Sequence, residues 1–249
     1  MNPLSDFSDL PRFADIRAGH VGPAIETLLA DARATLEKAT APGTPDTWEG
    51  FVSPLEDANE CLGRAWNVVS HLHSVMDTPE LRAAYNESLP KVTQYWTELG
   101  QNEALFRKYR ALRDAPAFGA LAPVRRRIVD NALRDFRLGG AELPSELKPR
   151  FAKLQEELAA LSAKFSENLL DATNAYSVIV EDPKRVDGIP EDALAAAREA
   201  AQKDGKAGWK FTLHAPSYFP VMQYCTDRPL REEIYRASAT RASEFGKAD

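Results

Sequence analysis

His71 and His73 come nearest to a metal-binding spelling in this chain, and their spacing argues against one. A catalytic zinc takes three protein ligands and leaves one position open. Two histidines four residues apart share a helix face, which is why His-Glu-x-x-His can grip an ion with its Glu as base. His71 and His73 are only two apart, and on a helix of 3.6 residues per turn that points them about 200° from each other. They read as one partly buried and one surface histidine. His20 and His214 stand alone, and Cys61 and Cys225 read as small buried apolar residues. No catalytic residue and no metal ligand is assigned in this chain, and no substrate-binding residue is singled out.

Other reactive spellings are absent. There is no Gly-x-Ser-x-Gly elbow, no phosphate-binding Gly-x-x-x-x-Gly-Lys and no Gly-x-Gly-x-x-Gly. Glu156-Glu157 and Glu232-Glu233 read as solvated helix faces. Arg125, Arg126 and Arg127, with Arg134 and Arg137 beyond, form the strongest positive cluster. It suits peptide C-termini or an acidic partner, but a solvated face paired to Asp130 and Asp135 on the same helix is the weightier reading. Tyr218, Phe219 and Tyr224 fit either a peptide groove or packing around Pro216 and Pro220. Trp96-Thr-Glu-Leu99-Gly100 matches the opening of a tetratricopeptide repeat, but Glu103 replaces the required Tyr and no 34-residue period follows.

The elements that must position these residues are mostly helical. With 249 residues, 44% of them apolar, the chain can bury a sizeable core. A net charge of −6 gives nucleic acid nothing to attract. Two distant cysteines suit a reducing compartment. The opening MNPLSDFSDLP lacks the basic and apolar regions of a secretory signal, and no run approaches a membrane span. A soluble cytoplasmic protein is expected, without nucleic-acid or membrane partners.

Helical spacing runs from Pro23 to Ala39 through Ile25, Leu28, Leu29, Ala32 and Leu36, with Pro23 in the first turn. Ser53-Pro54-Leu55-Glu56 spells a capping box, with a lead-in at Trp48 and Phe51. Behind it Leu55, Ala58, Leu62, Ala65, Val69, Leu72 and Met76 alternate threes and fours. Thr78-Pro79 opens the next helix, and Pro90 is expected to interrupt the segment that follows. A helix from about Pro123 to Leu138 should stop at Gly139-Gly140. The longest helix runs from near Pro149 to Thr173, and its stripe of Leu147, Phe151, Leu154, Leu158, Leu161 and Phe165 is expected to pack on the helix after Ser53. The period then changes to strand at Tyr176–Val180 and Trp209–His214, around an Ala-rich helix from Pro190 to Lys203. An aromatic-rich turn precedes a last helix from about Pro229 to Ser243, closed by Gly246. The expected fold is mostly α, with long antiparallel helices and a small α+β insertion. The domains are a helical one over 1–175 and a strand-helix-strand segment with trailing helices over 176–249.

Four blocks carry a resemblance. They are TWEGFVSPLEDANECLGRAW with VSHLHSVMDTPELRAAY, VDNALRDFRLGGAELP, LSAKFSENLLDAT, and PSYFPVMQYCTDRPLREEIYRASATRAS from Pro216 to Ser243. In this order, across nearly the whole chain, they resemble the thimet-type zinc oligopeptidases. The resemblance implies an elongated, channel-containing metallopeptidase whose zinc polarises the scissile carbonyl, with short peptides as substrates. This chain would be its N-terminal wall, since the family's His-Glu-x-x-His is not among these residues. Zinc is expected in the full-length protein and none on this chain, which is then inactive alone and exposes an apolar face prone to self-association or dye binding. The ending at Asp249 favours a shortened metallo-oligopeptidase. The competing reading is a stand-alone helical module that binds peptide or protein without catalysis.

Overall fold

The computed structural model describes residues 2–243, and helix dominates them. They divide between Leu161 and Ser162 into two compact units.

In the first unit, α1 (Ala18–Thr40) begins ahead of Pro23, which was expected in its first turn. The backbone N–H of Arg17 donates to His20 Nδ1 at 3.1 Å and turns the chain early. Pro23 therefore lies inside the helix and gives up one backbone bond there. Buried Ile25, Leu28, Leu29 and Ala32 outweigh that loss. α2 (Ser53–Val75) corrects the capping-box reading. The cap is Thr47, whose Oγ1 accepts the Gly50 N–H at 3.0 Å. From there a π-helical turn over Trp48–Val52 runs straight into α2, and the Ser53 N–H donates to the Trp48 carbonyl. Ser53 is already helical, so it caps nothing and Glu56 is free for another role.

α3 (Pro79–Gly100) opens as expected, with Thr78 Oγ1 accepting the Leu81 N–H at 3.3 Å. It does not stop at Pro90. A helix-interior proline costs about 3 kcal/mol, and the buried face of Leu81, Ser88, Val92 and Tyr95 continues across it. α4 (Glu103–Asp114) is a separate helix, capped by Asn102 Oδ1 on the Leu105 N–H at 2.9 Å. α5 (Pro123–Leu138) ends at the two glycines. Gly140 takes φ +89°, its N–H donates to Arg137 O at 3.2 Å, and the Ala141 N–H donates to Phe136 O at 2.9 Å. That is a Schellman ending, in which a left-handed glycine satisfies the last carbonyls.

Two apolar clusters hold this unit. One joins α1, α2 and α3 around Ile25, Leu62, Val69 and Tyr95. The other gathers Phe51 from the π-helical turn with Leu55, Phe106, Tyr109 and Phe136 from α2, α4 and α5. α6 (Lys148–Ala175) corrects a further expectation. Within this unit its stripe does not pack on α2, because α2 has spent its apolar face on α1 and α3. Leu154, Leu158, Leu161 and Phe165 are exposed.

In the second unit, β1 (Ser177–Val180) and β2 (Trp209–Thr212) pair antiparallel, Ser177 opposite Thr212 and Val180 opposite Trp209. α7 (Glu191–Lys203) connects them and packs on β2. The expected aromatic turn is instead α8 (Ala215–Tyr224), which holds Pro220 within it. α9 (Arg228–Ala239) is capped by Asp227 Oδ1 on the Leu230 N–H at 2.7 Å. It ends before Ser243, and the closing Gly246 lies outside the described residues. Val180, Phe211, Val221, Leu230 and Ile234 form the core. Among the described residues no helix is long and apolar enough to cross a membrane.

Candidate functional site

The histidines have structural neighbours rather than shared ones. His71 is exposed on α2 and meets Phe13 edge-on at 5.7 Å between ring centres. His73 is buried, stacks on Tyr85 at 4.1 Å, and holds Nε2 3.8 Å from Asp77 Oδ1. His20 Nδ1 is taken by the start of α1. In the second unit, His214 Nε2 lies 3.2 Å from Asn174 Oδ1. Among the described residues no three His, Cys, Asp or Glu side chains are placed to hold a metal ion. The donors present do not fit a catalytic zinc. Cys225 is buried in the second unit's core, where burial pushes its thiol up, and Cys61 is half-buried beside α1 and α3.

The arginine cluster finds partners both on its own helix and outside it. Arg125 pairs with Glu49 at 2.8 Å and covers the Trp48 ring at 4.9 Å. Asp130 takes Arg113 from α4 at 2.7 Å, and Asp135 takes its neighbour Arg134 at 2.8 Å. Of the pairing expected within the helix, Asp135 keeps an intrahelical arginine, while Asp130 and Arg125 are tied to other elements. The aromatic group is only partly joined, with Tyr218 and Phe219 meeting edge-on at 5.6 Å between ring centres. Tyr218 packs partly into the core, whereas Phe219 and Tyr224 are exposed.

A concavity in the first unit lies elsewhere, between α2, α3, α4 and α5, with a volume of about 690 Å³. Glu56 and Glu60, four residues apart on α2, stand one turn apart on the same wall. Asn59, beside them, accepts the Tyr95 hydroxyl at 2.5 Å. The Tyr109 hydroxyl reaches Glu56 Oε1 at 3.5 Å. Leu55, Leu99, Leu105 and Phe136 make the apolar floor, and Trp96 stands at the edge, 38% exposed. At the back, Gly100 and Gly139 bring the C-terminal ends of α3 and α5 together.

The apolar surroundings tune these groups. Desolvation pushes the Glu56 carboxyl up, with Asp57 adding to it and the Tyr109 hydroxyl opposing. Burial raises Tyr95 to about 12. Burial, then the Glu56 charge, drives Tyr109 well above the usual phenol range. Neither Glu56 nor Glu60 has an ion-pair partner among the described residues, and no Lys or Arg lines the cavity. Little in the residue pattern announces this cavity. Glu56 reads there as part of a capping box and Trp96 as part of a failed repeat motif, and Glu60 is not singled out. The acidic spacing of four was the usable signal.

Comparison with known proteins places these features. Residues 25–148 match the sequence profile of "Neurolysin/Thimet oligopeptidase, N-terminal domain". Over 245 residues the chain is 44% identical to oligopeptidase A of Salmonella typhimurium, covering 98% of this chain and 36% of that protein. Oligopeptidase A of Escherichia coli gives the same identity and coverage. A probable cytosolic oligopeptidase A of Arabidopsis thaliana is 39% identical over 249 residues, covering 97% of this chain and 35% of its own length. The chain thus spans about a third of the length of these relatives.

Proposed function

The chain belongs to the thimet-type oligopeptidase family as an N-terminal portion, and from that premise we propose that it serves a cytoplasmic zinc metallo-oligopeptidase that cleaves internal bonds of short peptides. Its own part is channel wall. The observation that carries this reading is the 44% identity to oligopeptidase A, sustained over 98% of the chain. Similarity of that extent cannot come from one shared helix pattern. The cytoplasmic setting draws support from the Arabidopsis relative, whose name describes it as cytosolic.

The histidines described above do not offer zinc a ligand set, so no step of hydrolysis is assigned to them. Zinc chemistry would come from residues other than these, and this chain would contribute a rigid helical framework that holds a peptide extended and excludes folded proteins. α1, α2 and α3 supply that rigidity through a continuous apolar cluster. The reading frame beyond Asp249 is the test. An in-frame His-Glu-x-x-His supports the peptidase, and a stop codon directly after Asp249 overturns it in favour of a binding module. Purified alone and supplied with zinc, the chain should leave an internally quenched peptide uncut. Chelator-sensitive cleavage would refute the division of labour.

A further inference from the structure

We propose that the cavity between α2, α3, α4 and α5 is a binding site for an organic cation on an apolar stem, an alkylammonium or guanidinium group. The reading does not depend on the peptidase assignment, because it concerns a cavity built within the first unit alone.

Charge is the first argument. Glu56 and Glu60 are one helical turn apart on the cavity wall, where like charges repel. Each lacks an ion-pair partner among the described residues, and the third acid of the lining, Asp135, already holds Arg134. Two exposed carboxylates without an ion-pair partner, on the wall of a cavity that also presents apolar side chains, make a local negative potential that favours a cationic ligand. The helix ends add to it. α3 and α5 converge at Gly100 and Gly139, and a helix C-terminus carries about half a negative charge.

Shape and apolarity supply the second argument. The volume of about 690 Å³ is of small-ligand size. Leu99, Leu105 and Phe136 present apolar surface for a methylene stem, as long basic side chains prefer. Trp96, partly exposed, adds to the lining an aromatic ring of the kind that attracts cations. A metal ion fits poorly, because no three acidic, histidine or cysteine side chains among the described residues are grouped tightly enough to ligate one. A basic side chain of a peptide and a free polyamine share the required chemistry.

Calorimetric titration of the purified chain separates the outcomes. The probes are acetyl-Gly-Arg-Gly-amide, the same peptide with norleucine in place of arginine, spermidine and Mg²⁺. The arginine peptide or spermidine should bind at least tenfold more tightly than the norleucine peptide. Whichever of the two binds identifies the source of the cation. Glu56→Gln and Glu60→Gln should each weaken that binding about tenfold with unchanged circular dichroism, and Trp96→Leu should weaken it several-fold. The proposal falls if neither cation binds, if the norleucine peptide binds as well, if Mg²⁺ competes for the site at equal strength, or if the folded Gln variants bind like the parent. No bond is cleaved in this assay, so its failure is separate from any failure of the peptidase reading.

Discussion

Gly100 and Gly139 approach so closely that a Cβ on Gly139 would lie 3.3 Å from the Gly100 Cα and 3.2 Å from its carbonyl oxygen. The obstacle is backbone on both counts, so no side chain can swing aside. Gly139→Val should destabilise the chain by about 1–3 kcal/mol through overpacking and weaken cation binding by moving the back of the cavity. Gly63 is the contrast, since it lies within α2 and a Cβ there meets nothing within 4 Å. Gly63→Ala should stabilise by roughly 0.5–1 kcal/mol by removing backbone freedom from the unfolded chain. Urea unfolding of both variants reads the opposite signs.

Phe51 ties the π-helical turn to α4. It is fully buried and meets Tyr109 edge-on at 5.0 Å. Phe51→Ala should cost about 3–5 kcal/mol, the loss of burial plus the cavity left behind. Phe13 is 45% exposed, so Phe13→Ala should cost far less. Equal losses in thermal and urea melts would mean that the second cluster is not packed as described.

Glu56 makes stability depend on pH in an unusual direction. Its carboxyl is pushed up in the folded state, chiefly by desolvation. The folded protein then holds that proton more tightly than the unfolded chain does. The stability it contributes is present below the ordinary carboxylate range and is lost as pH rises through the raised value. Glu56→Gln removes this dependence. Its stability relative to the parent should therefore improve as pH climbs from acid toward neutral, and unfolding curves at a series of pH values check it. Glu103, exposed and held below the usual range by its hydrogen bond and charge contact with Lys148, has the opposite sign, so the comparison must be made against the parent at each pH.

Leu158 is 58% exposed on α6. Leu158→Glu should change stability by no more than about 0.5 kcal/mol, while binding of a hydrophobic dye falls, more so when combined with Leu154→Glu. A large loss of stability would show that this stripe is already covered.

Much of this architecture was readable because local signals act alone. Thr78 caps α3 through its own side chain, and Gly140 ends α5 by its own left-handed backbone. The alternation of Trp209, Phe211 and Leu213 marked a strand before its partner was known. Failures came where tertiary packing outvoted a local rule. Pro90 has a strong preference to break helix, but the buried residues on either side of it carry α3 through. Ser53 looked like a cap only because the spelling cannot show that Thr47 had already started the turn. The α6 stripe promised a partner, but which face of α2 is free depends on α1 and α3. The cavity was least legible of all, since it needs four helices, two of them meeting at glycines that carry no side chain to signal the contact.

The sheet of the second unit has a consequence for the order of events as the chain folds. Val180 and Trp209 pair although they are 29 positions apart. Closing a loose loop of that length costs about 3 kcal/mol from its length alone. α7 occupies 13 of the intervening residues, and as a rod it spans only about 20 Å, so once it has zipped up the remaining slack is short. Strand docking should therefore wait for that rod. A proline at Ala197 would slow refolding of this unit as well as weaken it, because the ends it leaves behind must find each other across a much longer tether.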